Sequence, residues 1–271
     1  IFCALFFSEY TQTRIQIAFP WYASYTANWF MFYNGWDGIL SHLWSLSVEE
    51  QFYIIWPWLL LFTPWRFLPI LIWGFIFTGI FSNYLVSHRP LGTVLTFTCF
   101  DAFGFGALLA WLEQAGIDRL KKWMPYFKVA ALISIIFFAI GLWRFKHDII
   151  PLRTLFSILS LWLIAYIVSY SGSGNIKCKW LFDSKFLIFL GKISYGIYLY
   201  HNFVPVINKY TLSAWLDPIL PDFLANQTEK VHLMENFILL IILSWLSFVF
   251  IEKRILTFKK NFEYRNIAEK A

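Results

Sequence analysis

Seven separate apolar runs, each of nearly twenty residues, constrain this chain more than any other feature. A run of that length is what a helix needs to cross a hydrocarbon layer of roughly 30 Å. They read as complete spanning helices at 42–62, 66–86, 94–113, 126–143, 151–170, 186–207 and 233–253. The expected fold is all-α, a polytopic transmembrane helix bundle occupying 1–271 with no second, soluble domain. Ile1 to Phe7 read as the last turns of an earlier span, and the absence of an initiating Met or signal-peptide pattern points to a truncated N-terminus.

Composition excludes the simplest alternative. The chain is 59% hydrophobic and 14% charged, against about 45–50% and about 25% in an ordinary soluble domain. Trp56, Trp58, Trp65, Trp111, Trp123 and Trp143 sit near the ends of apolar runs, where such rings fit the headgroup boundary. The net charge of +6 does not indicate nucleic acid, because no stretch interleaves basic and aromatic residues in a solvated groove. Cys3, Cys99 and Cys178 lie in unrelated segments without metal-ligand spacing, and an odd count does not suit a disulfide framework. No metal site is expected.

Short cytoplasmic connections carry an excess of Lys and Arg. Segment 114–125 holds Arg119, Lys121 and Lys122; segment 171–185 holds Lys177, Lys179 and Lys185; the tail holds Arg254, Lys259, Lys260, Arg265 and Lys270. These three are placed in the cytoplasm. The opposite connections include 208–232, with Asp217, Asp222 and Glu229, and 144–153, whose Arg144, Lys146 and Arg153 dilute the contrast. Segment 8–41 then lies outside, along the interface, as a loop with a short helix.

Polar groups inside a span are costly unless they pair or face a wet cavity, so their positions carry the functional signal. In the run 42–53, His42, Ser45, Glu49, Tyr53 and then Trp56 follow one stripe at 3.6 residues per turn, with Glu50 about 100° away. In 191–202, Ser194, Tyr198 and His201 share a face, and Tyr195 and Asn202 form the neighbouring stripe. Asp101 lies among the glycines of 99–107. Each has a plainer reading: a Glu bonding a neighbouring helix, an interfacial His, an Asp capping a helix. All three nevertheless fall in the outer half of the membrane on one orientation, which suggests a shared polar chamber.

The sixteen residues His42-Leu-Trp-Ser-Leu-Ser-Val-Glu-Glu-Gln-Phe-Tyr-Ile-Ile-Trp-Pro57 closely resemble the signature of the acyltransferase-3 family, membrane O-acyltransferases acting on extracytoplasmic glycans. The stretch 100–110 is similar to that family's middle motif, 191–201 to its late motif, and Ile251-Glu-Lys-Arg254 to its terminal one. The middle motif often carries an Arg where this chain has Cys99. The family's first helix, with an Arg and the His usually taken as catalytic, and a cytoplasmic basic pair for donor phosphates, would lie upstream of Ile1.

The resemblance implies transfer of an acyl group, commonly acetyl, from acetyl-CoA or another acyl-CoA as co-substrate onto a hydroxyl of a cell-envelope glycan or glycolipid. No bound cofactor is implied. Glu49, His201 and Ser45 are the candidate catalytic residues; His42, Glu50, Tyr53, Asp101, Ser194, Tyr198 and Asn202 are candidates for substrate binding. Glu49 would orient a His or bind the acceptor hydroxyl, while His201, Ser45 and Tyr198 would line the acceptor side or hold the oxyanion. The expected setting is a multi-pass, bacterial cytoplasmic membrane, with lipids, acyl-CoA and a glycan acceptor as partners. The rival class is a transporter or flippase for a lipid-linked sugar or acyl donor, using Glu and His as a proton relay. A sensor or structural subunit of the same fold is a third.

Overall fold

The computed structural model describes residues 9–86, 88–144, 152–170, 183–221 and 227–259. Among them there is helix and no strand, which agrees with the all-α expectation. The elements in chain order are α1 (Glu9–Ala23), α2 (Ala27–Asn34), α3 (Trp44–Phe62), α4 (Leu68–Val86), α5 (Phe100–Gln114), α6 (Ile117–Arg144), α7 (Leu152–Tyr170), α8 (Lys185–Tyr200), α9 (Val204–Tyr210), α10 (Leu212–Leu216), α11 (Thr228–Ser247) and α12 (Lys253–Lys259). The chain divides into two compact units, Thr13–Lys177 and Cys178–Ala271 with Ile1–Gln12.

Four stretches among the described residues are long and apolar enough to cross a membrane: Trp65–Val86, Ile117–Ile140, Leu152–Tyr170 and Thr228–Phe258. Their outward faces carry large apolar side chains, such as Phe77, Phe81 and Ile136, which are exposed as lipid contact would leave them. The protein is a multi-pass membrane protein. The other three expected spans, 42–62, 94–113 and 186–207, are the ones that carry the polar motifs, and each departs from a plain apolar rod. Helix α3 holds Glu49, Glu50 and Gln51 within its first half. Helix α5 begins only at Phe100, after two short 3-10 turns, and its 15 residues cover about 22 Å. Helix α8 ends at Tyr200 and the chain turns before α9.

The segment expected as an interfacial loop with a short helix is more ordered than that, since it forms both α1 and α2. Ala27, Asn28, Phe30 and Met31 of α2 are buried. The reason is Asn28, which donates to Val94 O at 3.3 Å and to Thr96 Oγ1 at 3.0 Å and so draws α2 into the larger unit.

Connections follow local chemistry. Helix α3 stops at Phe62 because Thr63, in extended conformation, precedes Pro64. Helix α5 turns into α6 through Gly116, whose φ of +106° suits a residue without Cβ and whose N–H bonds Glu113 O at 2.9 Å.

The larger unit is built on α4 and α5. Leu68, Ile72 and Ile76 of α4 meet Phe105, Leu108 and Leu112 of α5, with Leu120 and Phe127 of α6 and Leu161 and Ala165 of α7 completing the core. Two glycines set the spacing: a Cβ on Gly79 would lie 2.1 Å from Asp101 N, and one on Gly104 would lie 2.6 Å from Ile76 Cγ1. Such contact between backbones is how helices in lipid gain packing energy without a hydrophobic driving force. In the second unit, α8 and α11 meet at Gly196, where a Cβ would lie 2.9 Å from Ser244 Cα.

Gly79→Ala is expected to cost about 3 kcal/mol or more, because the obstructing atoms are backbone and cannot rotate away. Gly74→Ala, on the same helix but with nothing within 4 Å, should be neutral or slightly stabilising. Thermal unfolding of the two variants in detergent checks the difference; equal midpoints would contradict the close approach.

Candidate active site

Helix α3 carries the signature run and presents two different faces. One is fixed to the larger unit. Ser47 and Val48 are buried, the Phe52 ring stacks on Phe103 with centroids 4.1 Å apart and planes 5° apart, and Trp56 meets Phe75 edge-on at 5.3 Å. Phe75 in turn stacks on Phe100 at 4.5 Å. These rings join the signature of α3 to the middle motif of α5 through α4.

Gln51 adds a polar anchor beside the rings. Its Nε2 donates to Tyr25 O at 2.6 Å and to Asn28 Oδ1 at 3.0 Å, and its Oε1 accepts from the Thr96 hydroxyl. Because Asn28 also donates to Thr96, the three side chains close a ring that ties α2, α3 and the turn before α5 together.

The flank of α3 next to that packed side carries the stripe of candidate residues. Glu49 and Tyr53 are exposed, while His42, Ser45 and Glu50 are half-buried. On a helix Glu49 lies about 100° from Val48, which is enough to take it off the packed side. The Ser45 hydroxyl bonds His42 O at 3.4 Å, and His42 Nδ1 lies 3.1 Å from Ile39 O. A carbonyl oxygen only accepts, so Nδ1 carries the proton and Nε2 is the basic nitrogen of the neutral ring.

Asp101 behaves differently from the other candidates. It is fully buried, its Oδ1 accepts from Ala102 N at 2.9 Å and its Oδ2 accepts from the Thr154 hydroxyl. Both carboxylate oxygens are therefore engaged by the protein itself, as an anion in the first turn of a helix favours.

In the second unit, His201 follows the last residue of α8 and is exposed, with Nδ1 2.6 Å from Tyr198 O, so its Nε2 is likewise the basic nitrogen. Tyr198 and Asn202 are half-buried, and the exposed Ser194 bonds Gly191 O at 2.9 Å. Tyr200 OH donates to Ser247 Oγ at 3.2 Å, and Ser247 reaches Glu252 Oε1 at 3.4 Å. This links the late motif to the terminal one. A π-turn at Phe248–Glu252, a distortion that frequents functional sites, turns Glu252 towards that contact. No group of three or more His, Cys, Asp and Glu able to hold a metal occurs among the described residues.

The sequence model of the acyltransferase-3 family, described as an acyltransferase domain, matches residues 1–251. The chain belongs to that family. Over 211 residues it is 30% identical to the peptidoglycan O-acetyltransferase OatA of Listeria monocytogenes, covering 69% of this chain and 33% of that protein. Over 191 residues it is 28% identical to O-acetyltransferase OatA of Staphylococcus aureus, covering 63% of this chain and 30% of that protein. The chain thus spans about a third of the length of these curated relatives. No solved structure matches.

Two residues of this acyltransferase-3 chain were not picked out by sequence reasoning. Gln51 sits inside the signature and was passed over for the carboxylates beside it. Arg153 falls where the connection 144–153 overlaps the expected span 151–170, and its guanidinium is packed into the larger unit. It donates to Thr93 O at 2.9 Å, to Asn83 Oδ1 at 3.1 Å and to Thr98 O. Asn83, itself buried, also donates to Thr98 O at 2.6 Å. The guanidinium therefore gathers the carbonyls freed where the chain breaks before α5, and beside it lies Cys99, a buried free thiol. The signal available was Arg153-Thr154 opening an otherwise apolar run.

Arg153→Lys is expected to destabilise the detergent-solubilised protein by about 2 kcal/mol, because one ammonium cannot reproduce a planar fork across three acceptors. An unchanged unfolding midpoint would show that the fork does not hold the break.

Proposed function

We propose that the complete protein transfers an acyl group, in the first instance acetyl, from an acyl-CoA to a hydroxyl of an extracytoplasmic cell-envelope glycan or glycolipid. The observation that carries this reading is the family match over residues 1–251. The printed activity of the relatives, O-acetylation, with peptidoglycan named for one of them, supports the reaction and the acceptor class. The three polar-motif helices complete a seven-span set with the four apolar ones, and the connections rich in Lys and Arg lie in the cytoplasm. That orientation puts the Glu49 end of α3 towards the acceptor side.

The chemistry asks for a base. A sugar hydroxyl is a weak nucleophile and must lose its proton as its oxygen attacks the thioester carbonyl carbon, while the C–S bond breaks and the leaving thiolate takes up a proton. An imidazole with a basic Nε2 suits proton removal, and a carboxylate suits stabilisation of the imidazolium that results. In this reading Glu49 orients a histidine or binds the acceptor hydroxyl directly. His201 serves the acceptor with its Nε2, and Ser45 and Tyr198 hold the acceptor or the developing oxyanion. His42, Glu50 and Tyr53 of the larger unit are substrate-binding residues in this reading, and so are Ser194 and Asn202 of the second unit. Asp101, with both oxygens engaged, supports the site through the α4–α5 contact and does not touch substrate.

Membranes containing equal amounts of each variant of the complete protein, given labelled acetyl-CoA and envelope glycan, test the assignment. Label should appear covalently on sugar with the unaltered protein. Glu49→Gln should lower transfer by about 100-fold or more, the usual reach of general acid–base assistance, whereas Glu50→Gln should be milder and His201→Ala should also reduce it. Full transfer by Glu49→Gln would refute a role for that charge, and absence of label from sugar with the unaltered protein would refute the reaction.

A further inference from the structure

The larger unit carries a groove that neither its own packing nor the proposed reaction uses. It encloses about 260 Å³ between α5 and α7, with Gly106 and Leu109 on one wall, Phe156, Ser160 and Ile164 on the other, and Arg153 at one end. Phe156 and Ile164 stay exposed along its rim, so it opens sideways to whatever surrounds the bundle. Gly104 is occupied in the contact with Ile76, but a Cβ on Gly106 would meet nothing within 4 Å. A glycine inside a helix weakens it relative to alanine, and Gly106 returns no close packing for that loss. What it leaves is room.

The length of the groove matches one leaflet of a bilayer. Arg153 is the second residue of α7, a helix long and apolar enough to cross the membrane, and so stands at the edge of the hydrocarbon. From Arg153 to Ile164 the helix rises about 16 Å, close to half of a hydrocarbon core of roughly 30 Å.

The charge at that end has no counter-charge. A guanidinium is always positive, and the acceptors of Arg153 are the neutral oxygens of Thr93, Asn83 and Thr98. Its Nε has no acceptor. Asp101 spends its two oxygens on Ala102 N and Thr154, and among the described residues no carboxylate lies at ion-pair distance from Arg153.

We propose that this groove holds an acyl chain of an anionic phospholipid, in the leaflet at the Arg153 end, with the lipid phosphate over the Arg153 charge. Such a lipid carries its negative charge at the boundary and its chain down to the midplane, the same order and span as Arg153 and the apolar walls. Arginine suits phosphate, and basic pockets between membrane helices take anionic head groups. A helix seated there would cross both leaflets, whereas the groove ends at Ile164. The chain fills the space beside Gly106 and ties α5 to α7.

The test places the complete protein in phosphatidylcholine vesicles containing a trace of phosphatidylglycerol with a photoactivatable diazirine on its acyl chain. After irradiation, residues 102–109 and 153–164 should carry about fivefold more label than 77–81 of α4, whose exposed Phe77 and Phe81 report bulk lipid, fivefold being the preference that one basic residue gives at an anionic surface. A phosphatidylcholine probe with the same diazirine should show no such preference. Gly106→Leu and Ser160→Leu, which fill the groove from its two walls, should each abolish the preference, leave label on 77–81 unchanged and keep the unfolding midpoint in detergent. Equal labelling of the groove and α4, or equal labelling of the groove by the two probes, would overturn the proposal. So would a preference that survives both variants, or a midpoint that falls in both, which would put another helix in the groove.

Discussion

The contact between Gly79 and the backbone of Asp101 is the constraint on which the larger unit rests. Two helices in lipid gain little from burying apolar side chains, so their association depends on how closely the backbones come. A bare α-carbon at Gly79 lets α4 press on the first turn of α5, and Gly104 repeats the arrangement one turn on against Ile76. That closeness has a cost, because the chain before α5 cannot continue as regular helix and leaves carbonyls without intrahelical donors. Asn83 and Arg153 supply those donors, and Thr154 supplies one to Asp101. The break, the guanidinium and the buried aspartate are one device: removing any part leaves the others with unsatisfied polar atoms in a medium where each is expensive.

On that platform α3 is held by the side that carries Val48. Phe52 and Gln51 carry the attachment, the first by stacking on Phe103 and the second by the ring with Asn28 and Thr96. Rings confer contact area and the amide fixes rotation about the helix axis, so the direction of Glu49 follows from residues two and three places along. A site on a rigid element whose neighbours are locked keeps its geometry better than one on a loop. This gives the signature run a physical reading in which the apolar and amide residues fix the direction of the carboxylate beside them.

Much of this was legible in the sequence, for reasons that differ by residue. The four plain spans announce themselves by length and apolar content, and the alignment of Ser45, Glu49 and Tyr53 follows from helical periodicity, whereas His42 lies in the 3-10 turn Gly38–Leu43 that precedes α3. The start of α5 was not legible, because Leu95 to Cys99 are as apolar as a span requires and only the tertiary contacts with Asn83 and Arg153 show the chain leaving the helix. Arg153 itself was read as a boundary cation because charge beside an apolar run ordinarily marks a membrane boundary. Asp101 was grouped with the binding candidates because a span carboxylate signals function, and periodicity cannot show that Ala102 N and Thr154 satisfy it. The helical character of 8–41 was hidden by its mixed composition, since Asn28 acts through partners nearly seventy residues away.

The proposed function requires that α3, anchored by the face of Val48 and Phe52, offer Glu49 and Tyr53 to the extracytoplasmic side. Single cysteines at these four positions, in a background lacking Cys3, Cys99 and Cys178, can be challenged in intact cells with a maleimide that does not cross membranes. The account predicts rapid labelling of Glu49→Cys and Tyr53→Cys and protection of Val48→Cys and Phe52→Cys. Labelling of Val48→Cys with Glu49→Cys protected, or labelling of the Glu49 face only after permeabilisation, would contradict it.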